Sequence, residues 1–344
     1  MRTGEPLTRQ RLLAWTLALG AVLALSILMG VSWGTGSLSL RDLLPGGAPL
    51  TEQARAVFFD VRLPRVLAAA LLGGALTVAG VVFQALLRNP LADPYVLGVS
   101  GGASIGGVLA LLLGFGGAAS LLGELAVPAF AFLGALGALL LIEWVATVGG
   151  KLTVYTILLT GAIFNAFASA LIYFIQTIAS LEQLHAIVFY LMGSVPMLGY
   201  RGVGFLAVTS VLATLALLSM ARDYNALTVG EEGAAQLGVD VERIKRRTFI
   251  LGSLLTGLAV SVAGLIGFVG LVVPHLLRLL LGPDHRLLLP AAFLGGGAFL
   301  VLADLTARVA VAPSELPVGV VTALVGGPFF LYLLRRKGSR YDFA

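Results

Sequence analysis

Long apolar runs recur along the whole chain, separated by short breaks rich in Gly, Pro and charge. They fall near 12–32, 64–87, 97–115, 125–147, 153–175, 202–221, 243–263, 267–281, 287–307 and 316–334. A hydrocarbon core about 30 Å thick takes roughly 20 helical residues to cross. Inside it every backbone N–H and C=O must find a partner within the segment, so such runs predict helices. The pattern therefore predicts an all-α, polytopic membrane protein with about ten transmembrane helices. It reads as a single domain over 1–344, because no repeat period is evident and the largest polar interval, 222–247, suggests no separate soluble domain. The first run, Leu12 to Val31, follows Arg9 and Arg11 as a secretory signal would. It is too long for a signal's apolar region and lacks a small-residue cleavage site, so it is expected to be the first membrane helix.

Composition points the same way: 58% of the residues are apolar, 11% are charged and the mean hydropathy is +1.00, outside the range of soluble domains. The absence of cysteine excludes disulfides and thiolate metal sites. A net charge of +5 is explained by its placement and does not imply a nucleic-acid partner. With both termini inside, 16 Lys and Arg fall on the cytoplasmic side and six, Arg41, Arg55, Arg62, Arg65, Arg201 and Arg308, on the outer side, as the positive-inside rule requires. Merging 243–281 into one kinked span would make the split 11 to 11, so ten spans fit better.

Span five carries Asn165, Ser169, Tyr173 and Gln176 along one helical face. Such a stripe either bonds neighbouring helices or walls a solute pathway. Gly102 and Gly106 have the small-xxx-small spacing of close helix contacts. Glu143 lies near the cytoplasmic end of its span, and Asp304 precedes Arg308 by four residues, the spacing of an intrahelical ion pair. Neither carboxylate therefore argues strongly for the ion or proton site that a secondary transporter would need. His185, His275 and His285 lie far apart in this topology, so no metal site is expected, and no residue calls for a cofactor. No set of converging nucleophile and base residues suggests an intramembrane enzyme.

The cytoplasmic segment Gly230-Glu231-Glu232-Gly233-Ala234-Ala235-Gln236-Leu237-Gly238-Val239-Asp240 is neither a charge run nor a flexible linker. It reads as two short helices broken at Gly233 or Gly238, with an apolar edge at Ala234, Ala235 and Leu237, the form of a docking surface for another subunit. The chain has no phosphate-cradling GxxxxGK[ST] sequence; its Gly150-Lys151 is followed by Leu152, so ATP-driven transport would need a separate ATPase.

Several segments together resemble the permease subunits of bacterial ABC importers for iron-siderophores, haem and vitamin B12. They are Arg62-Leu63-Pro64-Arg65, Gln84 to Pro94, the Gly230 segment, Gly267 to His275, Asp284-His285-Arg286, Asp304 with Arg308, Glu315 to Gly319, and Gly327 to Phe330. The resemblance covers nearly the whole chain. It implies the type II importer permease fold, a homodimer in the bacterial inner membrane, two ATPase subunits below and a periplasmic solute-binding protein above. It also implies that Gly230, Glu231, Glu232, Ala235, Leu237 and Gly238, within a coupling segment of about 223–241, seat in the ATPase. Asn89 and Leu91 would close the cytoplasmic gate, and Arg62, Arg65 and Arg308 would receive acidic side chains of the binding protein. A second gate element, a small hydroxyl pair in relatives, reads Val154-Tyr155 here. The cargo it implies is a metal chelate, foremost a ferric siderophore, with cobalamin or haem as alternatives.

Overall fold

The computed structural model describes residues 7–33, 51–115 and 121–337. Arg2, Arg41 and Arg340, which entered the charge distribution, lie outside them. All ten apolar runs are helices. α1 (Arg9–Ser32) is capped by the Thr8 side chain, which accepts from Arg11 N. α2 (Glu52–Ala56) runs through a π-helical turn (Val57–Arg62) into α3 (Leu63–Leu86). A proline inside a regular helix clashes with the carbonyl four residues back, and the widened turn just before Pro64 supplies the room.

A 3₁₀ turn (Pro94–Leu97) precedes α4 (Val99–Leu112), which is followed by α5 (Leu121–Ala146). The β1 (Thr147–Val148) and β2 (Lys151–Leu152) pair forms a tight hairpin whose Gly149 and Gly150 both take positive φ, as a two-residue hairpin turn requires. Then come α6 (Val154–Ile178), α7 (Leu181–Met192), α8 (Tyr200–Ser219), α9 (Ala221–Leu227) and α10 (Glu231–Gln236). The last four are α11 (Val241–Ala263), α12 (Val269–Leu281), α13 (His285–Val309) and α14 (Val318–Lys337).

Seven of these helices are long and apolar enough to cross a membrane, while α4, α12 and the apolar part of α14 are shorter. Two features depart from the sequence pattern. α7 was not among the ten runs, because Glu182, Gln183 and His185 interrupt its first half; it starts from a Ser180–Gln183 capping box. The break between α11 and α12, expected at the outer surface, lies inside the bundle, where Gly270 packs against Gly80, Leu76 O and Pro94.

α3 is the axis of the bundle: 89% of its apolar window is buried, against 6% for α1 at the periphery. Lipid tails are as apolar as leucine, so helix association rests on close van der Waals contact. Glycine provides it. Gly73 meets Gly296 of α13, Gly80 meets Gly270 of α12, and Gly102 and Gly106 of α4 meet Gly134 and the Phe130 carbonyl of α5. A smaller apolar cluster of Val108, Ile172, Ile175 and Ile187 binds α7 to α4 and α6.

Candidate functional site

At the end of α3 the chain reverses through a turn in which nearly every backbone group is paired. Arg88 N donates to Ala85 O at 3.2 Å and Asn89 N to Gln84 O at 3.1 Å, the two bonds of a Schellman stop, with Arg88 in the left-handed conformation at φ 47°. The Asn89 side-chain oxygen then accepts from Leu91 N at 2.9 Å, and Asp93 Oδ1 from Tyr95 N at 2.9 Å. Asn89 is exposed and Leu91 half-buried on a turn with little backbone freedom. Glycine takes the left-handed conformation without the cost that Arg88 bears, partly offset by its looser unfolded chain. Arg88→Gly is therefore expected to raise stability by about 1 kcal/mol, read as a higher melting temperature of the detergent-solubilised chain.

The four polar residues of α6 separate into two groups. Asn165 is half-buried and its Nδ2 donates to Tyr95 O at 2.8 Å, a bond across to the turn that follows α3. Ser169 and Tyr173 are exposed on the open side of α6, and Ser169 Oγ donates to Asn165 O at 2.9 Å within the helix. Gln176 is half-buried near the helix end. Tyr155, at the start of α6, is 73% exposed.

The segment between α8 and α11 folds into α9 and α10, but the break falls at Gly230 (φ 101°), not at Gly233, which lies within α10; Gly238 (φ 85°) follows α10. Ala234 is fully buried against the bundle and so is not part of an outer edge, whereas Ala235 and Leu237 are exposed, Leu237 to 69%. Val229, at 65%, extends that apolar surface. Glu232 is exposed, but Glu231 is turned inward onto Lys245 of α11 at 3.0 Å. Lys245 also pairs with Glu242 at 2.6 Å, and Glu242 accepts from Leu152 N at 2.8 Å, so α10, α11 and the hairpin form one clamp.

Glu143 of α5 joins the same end through Arg246 at 3.1 Å. α9 is fixed to the turn before α13: Asn225 Nδ2 donates to Asp284 at 2.8 Å and Asn225 Oδ1 accepts from His285 N at 2.9 Å. Bonds from Arg286 and Asn225 hold the Asp284 carboxyl down to about 2. The Arg88 guanidinium lies beside Gly230, so the turn after α3 and this segment are neighbours.

At the opposite end, the three arginines expected on the docking surface are not exposed. Arg62, Arg65 and Arg308 are 5%, 6% and 4% accessible, and the last two flank a fully buried Asp304, while Arg62 Nη1 donates to Val31 O at 3.4 Å. Asp304 Oδ1 lies 3.0 Å from Arg65 Nη2 and its Oδ2 2.9 Å from Arg308 Nε, so the ion pair expected from spacing forms and is joined by a second arginine. Arg65 also reaches the partly exposed Glu315 at 2.8 Å, while Arg308 Nη2 donates to Gly30 O at 2.9 Å. Arginine's long stem and fork let it turn inward from a helix end to a carboxylate, which residue spacing does not reveal.

Among the described residues no group of three or more His, Asp or Glu side chains could hold a metal. His185 is exposed on α7 and stacks near Phe189, His275 is buried in α12, and His285 is buried at the start of α13. Sequence reasoning missed Lys245 and Tyr95. A lysine inside the basic run Arg243 to Arg247 reads as a solvated charge, and Tyr95 gave one signal, a hydroxyl at the head of the apolar stretch Val96–Leu97 that needs a partner.

Residues 22–336 match the model of the FecCD transport family. An uncharacterized ABC transporter permease of Bacillus subtilis, YvrB, is 42% identical over 92% of this chain and 91% of its own length. The cobalamin import system permease BtuC of Halobacterium salinarum is 40% identical, over 90% of this chain and 81% of its own. The hemin transport system permease HmuU of Yersinia pestis is also 40% identical, over 93% and 96%. Among solved structures, an inward-facing one described as a metal-chelate type ABC transporter superposes with a TM-score of 0.82 at 33% identity, over 93% of this chain and 98% of that one. A bundle of apolar helices around a buried α3, a clamped α9–α10 element and these likenesses agree: the chain belongs to the FecCD transport family of ABC transporter permeases.

Proposed function

We propose that the chain is the membrane-spanning subunit of an ATP-driven importer of metal chelates, acting as a homodimer in the cytoplasmic membrane with both termini inside. Two ATPase subunits bind its α9–α10 surface, and an external binding protein delivers the cargo. The observation that carries this reading is the pairing of an exposed apolar patch, Val229, Ala235 and Leu237, with a rigid attachment of the same element through Glu231 and Lys245. An apolar patch on a rigid mount both buries against a partner and transmits force. The Arg88–Gly230 neighbourhood carries movement of that surface to the gate turn at Asn89 and Leu91. The exposed Ser169 and Tyr173 face the pathway, and the apolar open side of α6 supports pairing of two copies and contact with lipid.

Docking of the binding protein at the arginine cluster has one support in the geometry. Arg65 and Arg308 hold the two carboxylates, Asp304 and Glu315, and the buried Arg62 is left with a carbonyl bond at Nη1 and an Nη2 without a hydrogen-bond partner among the described residues. A partner's carboxylate would balance the charge and satisfy that nitrogen. For the cargo, relatives named for cobalamin and hemin favour a tetrapyrrole chelate over the ferric siderophore expected from sequence. The visible spectrum of the ligand retained by a copurified binding protein separates corrin, haem and ferric chelate.

Leu237→Asp tests the coupling surface. A carboxylate there would have to be buried unpaired against the ATPase. The expected result is loss of ATPase copurification and of uptake, with the permease itself folded. Normal copurification and uptake would sink the assignment.

A further inference from the structure

We infer that Tyr95 is a positioning residue that fastens the gate turn to the break between α11 and α12, so that the two move as one body during transport. The inference rests on the reading of Asn89 and Leu91 as the gate. The Tyr95 hydroxyl donates to Ile266 O at 2.9 Å and accepts from Ile266 N at 3.0 Å. Ile266 lies in the non-helical stretch 264–268, where its N–H and C=O have no partner of the regular helical kind, and its side chain is fully buried. A single phenol thus supplies both a donor and an acceptor to a backbone that neither water nor a helix serves.

The same turn braces the far side of the break, where the Pro94 ring packs on Gly270 so closely that a side chain there would collide with it. Tyr95 has no slack of its own. Its N–H is held by Asp93, and its carbonyl accepts from Asn165 Nδ2 at 2.8 Å and Ser100 Oγ at 3.2 Å. Upstream, the bonds of Asn89 and Asp93 leave the 89–95 stretch stiff.

The break itself is strained: Gly264 takes φ 70° with ψ −157°, and Phe268 (φ 67°, ψ −20°) takes the left-handed conformation, which is rare for a bulky aromatic side chain. Such strain concentrates at switching segments, and a rigid turn pinned to a strained break is a lever on a hinge. The break in turn abuts the connection after α7 and the start of α14, where Gly193 and Gly319 pack against Leu265 O and Gly319 N donates to Gly193 O at 3.0 Å.

Hydrogen exchange of the permease–ATPase complex, with and without nucleotide, tests the link. In the parent, peptides covering 86–97 and 264–270 should change protection in the same nucleotide states. In Tyr95→Phe, which keeps the ring and loses both bonds, exchange at 264–270 should rise about tenfold or more and cease to follow nucleotide. The gate turn should still respond, ATP hydrolysis should continue and uptake should fall.

If the two segments still change in step in Tyr95→Phe, the bonds are merely structural and the inference fails. If Tyr95→Phe does not assemble, the parent decides, since segments that respond in different nucleotide states cannot be one body. A parent gate turn that responds while 264–270 does not would overturn the inference alone; a gate turn indifferent to nucleotide would overturn the gate reading with it.

Discussion

Replacing Asp304 with asparagine is expected to cost about 3–5 kcal/mol, the range for removing one partner of a buried ion pair. The substitution conserves shape, so the effect isolates charge. Asp304 is fully buried, and Arg65 and Arg308 both approach it within 3.0 Å. Without its charge, Arg65 and Arg308, each 6% accessible or less, would have Glu315 as their one carboxylate, and that reaches Arg65 alone. An uncompensated arginine inside a membrane protein can only recover hydration by turning outward, which here would pull Arg308 off Gly30 and α13 off α1. Glu315→Gln should cost no more than about 1 kcal/mol, because that carboxylate is 42% exposed and water can replace it. Thermal unfolding in detergent with size-exclusion profiles reads both, and an Asp304→Asn protein that melts with the parent would show that charge balance does not hold this end of the bundle together.

Gly80→Ala is expected to be of similar severity, about 3 kcal/mol or more, at the upper end of overpacking costs. The added methyl would occupy the position of the Gly270 carbonyl, a backbone atom that cannot swing aside as a side-chain tip can. Alanine's better helix propensity returns only about 1 kcal/mol. The damage would also reach function, since Gly270 begins α12 directly after the break that Tyr95 holds. Gly137→Ala is the control: nothing lies within 4 Å of its added carbon, so propensity alone should act and the melting temperature should hold or rise. Equal losses at both positions would mean that helix flexibility, not close contact, is what these glycines supply.

The helices were legible because apolar length and backbone satisfaction in lipid leave few alternatives, and the α9–α10 element because glycine and charge punctuate it. What stayed hidden depends on depth and direction. The 264–268 break reads the same in sequence whether it lies in water or inside the bundle; only Gly80 and Pro94 closing on Gly270 place it. α7 escaped because its polar first half sits beside an apolar second half, and no window of membrane length averages them correctly. The burial of Arg62, Arg65 and Arg308 was not legible, because spacing along a helix reports neither the partner on another helix nor the inward turn of a flexible stem. Asn165 shows the same limit within one stripe, where one amide bonds across to Tyr95 and its neighbours do not.

The peripheral seat of α1 bears on how the chain is made. Gly30 packs on Val66 and Val301, Arg308 donates to the Gly30 carbonyl, and Arg11 donates to the carbonyl of Leu281 at 2.9 Å. Arg11 and Gly30 thus bond to residues 270 and 278 positions away in the chain. Until α13 is made, α1 has little to hold it in the bilayer beyond its own hydropathy. α3, whose glycines are matched to Gly296 and Gly270, waits for the same stretch of chain. A nascent chain that stops before residue 285 lacks α13, the helix on which Gly73 of α3 and Gly30 of α1 both close.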